Sequence, residues 1–200
     1  MDILFWSGGK DAYLALHVYR QAHPKASVQL LTTFDENRKV VPHQNIPIDE
    51  IKEQARQLGL NITTVPLPTD CSNEIYLQKV GKVLEGMPES IDHLIFGDWY
   101  ISDIREWRES VFGDMGYNCQ FPIWEKELDE LLPILTLQPV DVTISAVRDD
   151  LQHLIRVGET YNQSFVRQLK YQPEDIDPMG ENGEFHTKVS FQRIKQQNIY

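Results

Sequence analysis

Blocks of apolar residues alternate between two periods along the first two-thirds of the chain. A short apolar run, Ile3–Trp6, is followed by a glycine turn and then by Ala12–Gln21, which has helical spacing. The β-branched, apolar run Val28–Phe34 reads as a second strand. Ile48, Ile51, Ala55 and Leu58 recur at helical spacing and stop at Gly59, which predicts a helix over Ile48–Leu58. Ile62–Val65 is a third short strand, Asn73 opens a helix to about Leu84, and His93–Phe96 is a fourth strand. Ser102 is the expected cap of a helix running to about Phe112, and Tyr117–Phe121 is a candidate fifth strand. Strand and helix signals alternating in this way predict an α/β fold, a parallel sheet with helices on both faces. After Pro122 the rhythm loosens. Lys126–Leu135 is helical, Val140–Val147 strand-like, Leu151–Leu154 a candidate short helix, Asn162–Leu169 a helix and Glu184–Phe191 a final strand. The expected division is a first domain over 1–124 and a smaller, substrate-recognising α+β region over 125–200.

Composition narrows the function classes. With 41% apolar residues in 200, a proper core can be buried. The formal net charge of −11, with no Lys/Arg cluster, disfavours nucleic acid as the main partner. No stretch approaches the roughly eighteen apolar residues needed to span a bilayer. The start, Met-Asp-Ile, lacks the basic region of a signal peptide. Cys71 and Cys119 lie far apart and form no Cys-x-x-Cys unit, so neither a disulfide scaffold nor a structural zinc site is expected. A reducing cytoplasm fits these features.

The first candidate chemistry is Ser7-Gly8-Gly9-Lys10-Asp11-Ala12. Strand, glycine turn and helix together can cradle a phosphate: the glycines turn the backbone tightly and the helix presents the positive end of its dipole. Ser7 can add a hydroxyl and Lys10 a compact positive charge. The alternative is a glycine turn that is only structural. The segment is not the usual P-loop, because Leu4 stands at the first glycine position and Asp11 at the Ser/Thr position. No third glycine completes a dinucleotide fingerprint.

Ligands of open α/β sheets sit beyond the carboxyl ends of the strands. Asp35 and Gly97-Asp98 follow two of those ends, so both carboxylates are candidates to contact ribose, adenine or Mg²⁺. Each is as readily a loop aspartate capping a helix. Asp11 has the same choice between Mg²⁺ and capping. A second cluster is Asp177-Pro178-Met179-Gly180-Glu181-Asn182-Gly183-Glu184-Phe185-His186-Thr187. Calcium is one reading, but EF-hand spacing fails; a polar turn before a strand is the other. Arg105 and Arg108, three apart on a helix, could take a carboxylate or phosphate bidentately or pair with nearby acids. His43 is a candidate for the pocket rim. Cys71 is either a nucleophile or a small half-buried residue.

The first segment resembles the SGGxDS pyrophosphate loop of the ATP pyrophosphatase superfamily. Gly180-Glu-Asn-Gly-Glu-Phe-His-Thr187 resembles the GExGE[FY]xT signature of the diphthine–ammonia ligase family within it. Collinear matches are Trp6-Ser-Gly-Gly-Lys-Asp11, Pro68-Thr-Asp-Cys71-Ser-Asn-Glu74, Phe96-Gly-Asp98 with Asp103-Ile-Arg105-Glu-Trp-Arg108-Glu, and Phe121-Pro-Ile-Trp124. The variants are similar to those of bacterial members. Ala12 stands where the family has Ser, Met179 where Cys is usual, and Gln44 where Gly often follows His43.

The resemblance implies a Rossmann-like, adenine nucleotide alpha hydrolase-like fold and an ATP-dependent ligase using Mg²⁺. A substrate carboxylate attacks the α-phosphorus, pyrophosphate leaves, and ammonia displaces AMP. It implies Ser7, Gly8, Gly9, Lys10, Asp11, Asp35, Gly97 and Asp98 around ATP, with Asp11 and Asp98 toward Mg²⁺. Lys10, Glu181, Glu184 and His186 are the implied catalytic set, and His43, Arg105, Arg108 and Asn182 the implied contacts to the second substrate. That substrate is a carboxylate-bearing small molecule or protein side chain. The diphthamide-bearing target is a eukaryotic and archaeal translation factor, so a bacterial member needs another one. A homodimer is compatible with this picture. The alternatives are a sulfurtransferase using Cys71 and a non-catalytic ATP-binding regulatory protein.

Overall fold

The computed structural model describes residues 1–137, 140–172 and 174–191. The chain enters as β1 (Asp2–Phe5), turns through Ser7–Gly9 into α1 (Lys10–Ala22), and returns as β2 (Val28–Asp35). A small hairpin follows, β3 (Val40–Val41) and β4 (Ile46–Pro47), leading straight into α2 (Ile48–Leu58). Next come β5 (Ile62–Leu67), α3 (Asn73–Glu85), β6 (His93–Ile95), α4 (Ser102–Asp114) and β7 (Asn118–Gln120). The five long-range strands form one parallel sheet in the order β5-β2-β1-β6-β7.

The central strands are apolar through their middles, at Ile3–Phe5, Leu30–Leu31 and Leu94–Ile95, because both faces are covered there. Leu4, Leu30 and Ile95 point to the face packed by α1 and α2. Their neighbours Ile3, Leu31 and Leu94 point to the other, packed by Val80 and Leu84 of α3 and Phe112 of α4. This is the Rossmann-like α/β architecture expected from the alternation of signals.

The rest of the chain supplies α5 (Leu128–Leu137), β8 (Val140–Val147), a 3-10 turn (Asp149–Leu151), α6 (Gln163–Leu169) and β9 (Phe185–Phe191). β8 and β9 pair antiparallel as a separate ribbon. Leu131, Val142, Phe165, Phe185 and Val189 share one buried cluster with Leu14 and Leu16 of α1. β9 therefore runs beside the start of α1.

Several boundaries differ from the sequence reading. α1 begins at Lys10 rather than Ala12, because Gly9 serves as its cap in an extended conformation. Ser102 does not cap α4: it is the first helical residue, Ile101 is the cap, and no side chain bonds there. The expected Leu151–Leu154 helix is a tighter 3-10 turn over Asp149–Leu151, starting two residues earlier. The β3–β4 hairpin had no signal. Its strands are two residues each, and its turn places His43 and Asn45, not glycines, in the left-handed region, as does Lys39 just before it.

The strand order reverses at β1, with β2 and β5 on one side and β6 and β7 on the other. The crevice at that switch lies between the loop after β1 and the loop after β6. Gly97 closes this crevice tightly. A Cβ there would lie 2.8 Å from the Asp11 carbonyl carbon and 2.9 Å from the Ala12 nitrogen. Gly97→Ala should accordingly push β6 away from α1 and cost about 1–3 kcal/mol. Urea unfolding checks this; an unchanged midpoint would mean the two loops are not held together.

Candidate functional site

The site begins with a backbone loop that has little freedom left. Gly8 has φ +82, and a Cβ on it would collide with Ile51 Cδ1 and come within 2.9 Å of Gln54 Oε1. Gly9 packs so closely on β9 that a Cβ would meet the Thr187 carbonyl oxygen at 3.0 Å. The Gly8 carbonyl accepts from the Val189 N–H at 2.9 Å and from Gln54 Nε2 at 3.2 Å. The Gly9 N–H donates to Ser7 Oγ at 3.3 Å. The Lys10 N–H, an orphan donor of the first turn of α1, goes to Thr187 Oγ1 at 3.0 Å. Strand β9 thus takes the place of a side-chain cap.

Lys10 is 2% exposed. Its ammonium donates to Met179 O at 2.6 Å and to Asp11 Oδ1 at 2.7 Å. It also lies 5.5 Å from the ring centre of Tyr161 and 5.9 Å from that of Phe185. The positive charge expected at the phosphate loop is therefore turned toward the second cluster, which it joins to the loop.

That cluster is a turn held by its own carboxylates. Asp177 Oδ1 accepts the Met179 N–H at 2.7 Å and the Glu181 N–H at 3.3 Å. Glu184, 2% exposed, accepts from the Asp177 N–H at 3.1 Å, the Asn182 N–H at 3.0 Å and Asn182 Nδ2 at 3.2 Å. Gly180 and Gly183 supply the left-handed residues the turn needs, and a Cβ on Gly180 would strike the Phe185 carbonyl oxygen at 2.6 Å. These bonds account for Asp177 as a turn residue rather than a calcium ligand. Glu181 is the carboxylate of the turn left facing the loop. Burial, with Asp11, Asp177 and Asp98 adding to it and Lys10 opposing, pushes its pKa up to about 7.

His186, the second residue of β9, is half-buried. Burial, then His43 and Lys10, lowers its pKa, so it is neutral at pH 7. His43 reaches it from the tip of the β3–β4 hairpin, with ring centres 5.8 Å apart. On the opposite wall, Arg108 binds Asp98 through Nε at 2.6 Å and Nη2 at 3.2 Å, and its guanidinium lies 4.4 Å from the Phe96 ring centre. Burial raises the Asp98 pKa; Arg108 works against it and Asp11 with it.

Ser7, Gly8, Gly9, Lys10, Asp11, Gly97, Asp98, Glu181, His186 and His43 thus gather around the start of α1. Three expected contacts do not turn toward it. Asp35 Oδ1 is taken by the Asn37 and Arg38 N–H groups, both at 2.9 Å, and by Thr69 Oγ1 at 3.2 Å, so it closes the turn after β2 and caps no helix; these bonds lower its pKa. Arg105 bonds Glu109 at 3.0 Å and stacks on Phe121 and Trp124. Cys71 donates its thiol to the Ser72 carbonyl at 3.4 Å and packs against the α3 side of the sheet. Gln54 and Tyr161 hold the site together and carried no motif, and Thr187, the last residue of the Gly180–Thr187 signature, was given no role of its own. Among the described residues, no three His, Cys, Asp or Glu side chains converge to hold a metal ion, and no helix is long and apolar enough to cross a membrane.

A glycine loop at the switch point of a parallel sheet, opening a helix whose second residue is an aspartate, defines a nucleotide-binding α/β protein of the pyrophosphate-loop class. Residues 1–119 match the family described as diphthamide synthase N-terminal domain, and the chain belongs to that family. No curated protein matches it. Among solved structures, it is similar to a predicted subunit of tRNA methyltransferase from Methanocaldococcus jannaschii, with 19% identity, 97% of this chain and 100% of that one covered, and TM-score 0.50. That likeness is one of fold. A U34-tRNA thiolase from Methanococcus maripaludis also matches, at 16% identity over 68% of this chain and 55% of its own, TM-score 0.41.

Proposed function

We propose that this protein is an ATP-dependent ligase that adenylates a substrate carboxylate and passes the acyl group to ammonia. One observation carries the reading: Lys10 ties the nucleotide loop to the turn of Glu181, donating to Asp11 at 2.7 Å and to the Met179 carbonyl at 2.6 Å, and there burial with Asp11 pushes the Glu181 pKa up to about 7. A carboxyl balanced at neutral pH is suited to proton transfer.

In this mechanism the loop N–H groups and the α1 dipole receive the β- and γ-phosphates. A carboxylate oxygen of the substrate attacks the α-phosphorus, and the bond from that phosphorus to the bridging oxygen breaks to release pyrophosphate. Asp11 and Asp98 are the carboxylates that would help hold Mg²⁺, which offsets phosphate charge, with ATP oxygens completing the set. Ammonia then attacks the acyl carbon and AMP leaves with its oxygen. Glu181 accepts the proton from the attacking nitrogen. Neutral His186, with His43 across from it, lines the approach of the second substrate. Glu184 and Asn182 keep Glu181 in place by holding the turn.

Phosphorus-31 NMR on the full chain with ATP, Mg²⁺, ammonium and a pool of carboxylic metabolites tests the reading. AMP and pyrophosphate are expected. ADP and phosphate would overturn it, and bound but uncleaved ATP would favour a regulatory protein. Cys71→Ser should leave product formation within about twofold of wild type, since its thiol bonds its own neighbour's carbonyl and packs on the α3 side of the sheet. Abolished turnover in that variant would favour sulfur transfer instead.

A further inference from the structure

We propose that Gln54 is a positioning residue for polyphosphate binding, which fixes the Gly8–Gly9 peptide so that the Gly9 N–H faces the ligand side of the loop. The inference rests on reading Ser7–Asp11 as a pyrophosphate-holding loop and adds the side chain that sets its shape.

Gln54 sits on α2 and is 4% exposed. Its amide orientation follows from partners that each have a single role. The Trp6 indole can only donate, and it meets Oε1 at 2.8 Å. The Gly8 and Val189 carbonyls can only accept, and they meet Nε2 at 3.2 and 2.7 Å. All three agree on one orientation. The Val189 N–H adds a second donor to the Gly8 carbonyl at 2.9 Å.

A trans peptide points its C=O and N–H in opposite directions. With the Gly8 carbonyl held against Gln54 and β9, the Gly9 N–H must point away from them. Its partner there is Ser7 Oγ at 3.3 Å, a long bond that a phosphate oxygen can replace. A Gly-Gly peptide resists rotation less than any other, since neither residue carries a Cβ. The loop therefore needs an outside clamp, and Gln54 provides it. The clamp also ties the nucleotide loop to β9, the strand that carries His186 and follows the Glu181 turn, beyond the segment of 1–119 that matches the family.

The test uses the full chain labelled with nitrogen-15. Titration calorimetry measures magnesium pyrophosphate and magnesium ATP, and NMR follows the Gly9 amide without ligand. In Gln54→Glu the side chain has no donor and repels both carbonyls. The Gly9 resonance should move, and pyrophosphate affinity should fall about ten- to a hundredfold. Gln54→Met, uncharged and of similar length, should do the same if the glutamate variant does not fold. Gln57→Met, on the exposed face of the same helix where the amide bonds Glu53, should leave both readouts within about twofold of wild type. An unmoved Gly9 resonance with unchanged affinity in a folded Gln54 variant would overturn the proposal. If the Gly9 resonance moves but wild type binds neither pyrophosphate nor ATP, the loop reading fails, and the polyphosphate role fails with it.

Discussion

At pH 8 the Glu181→Gln variant should melt higher than wild type and form amide about 10²–10⁴-fold more slowly. Both effects come from one carboxyl. Its pKa is raised from 4.5 to about 7 in the folded protein, chiefly by burial and then by Asp11. Between those values the folded state binds more protons than the unfolded one, so folding stability falls as pH rises from about 4.5 and levels off above about 7. A shift of that size corresponds to about 3 kcal/mol at pH 8, and glutamine removes the penalty because it has no charge to bury. For a chain of this length the gain should appear as about 5 °C or more in Tm. Near pH 4 the two proteins should melt alike, because Glu181 is then protonated in both states. For catalysis the same proton works in the opposite sense. Wild-type amide formation should rise with pH up to about 7 as Glu181 becomes a base, whereas the variant lacks that limb: it should be about 10²–10⁴-fold slower than wild type at pH 7 and above, the gap closing as pH falls. Exchange of pyrophosphate into ATP should persist, since the nucleotide loop is untouched. Equal melting at pH 8 together with unimpaired amide formation would remove Glu181 from its role. A stabilised but inactive variant is the usual mark of a group kept strained for function.

The unequal legibility of this site in the sequence has physical causes. Strand β1 and its glycine turn were readable because a doubly covered parallel strand is an unbroken apolar run and the turn needs glycine. The Gly180–Gly183 turn was readable for the same reason, and its partner motifs placed it beside the nucleotide loop. What each carboxylate does in that turn was not readable. Glu181 and Glu184 are the same residue type three apart, yet one faces the loop and the other is spent on three backbone and side-chain donors. Only the backbone path decides which. The same holds for Asp35 and Asp98, which follow equivalent strand ends. Asp35 bonds its own turn, while Asp98 meets Arg108, ten residues on along α4. Gln54 was invisible for a different reason. It lies on the polar-looking helix Ile48–Leu58, and its three partners come from Trp6, Gly8 and Val189, as much as 135 residues away. A buried glutamine amid a helical stripe has no local signature, and its role exists only once β9 is beside the loop. The hairpin that carries His43 was missed because its turn uses non-glycine residues in the left-handed region, where sequence gives no warning.

Removing the charge of Lys10 should damage both halves of the reaction, which sets it apart from Glu181. In Lys10→Met the apolar stem keeps its place among Tyr161 and Phe185, while Asp11 and the Met179 carbonyl lose their donor. The exposed side of Asp11 can be solvated, but the Met179 carbonyl lies under a buried residue, so a loss of about 2–4 kcal/mol in stability is expected. Formation of AMP and pyrophosphate should fall because the carbonyl contact joining α1 to the Glu181 turn is gone and the field at the loop is more negative. Amide formation should fall further. Lys10 is the group that lowers the Glu181 pKa, so without it Glu181 titrates above about 7 and is largely protonated at neutral pH. Overall turnover should drop about 10²–10³-fold, and the rising limb of the residual pH profile should move to higher pH. The double variant Lys10→Met/Glu181→Gln supplies the check on this coupling. With Glu181 no longer a carboxylate and only the solvated Asp11 left to miss the counter-charge, its stability should exceed the sum of the single effects by about 1 kcal/mol or more. Additive stabilities and an unmoved pH limb would mean that the lysine and the glutamate act independently, and that the turn is not electrostatically joined to the nucleotide loop.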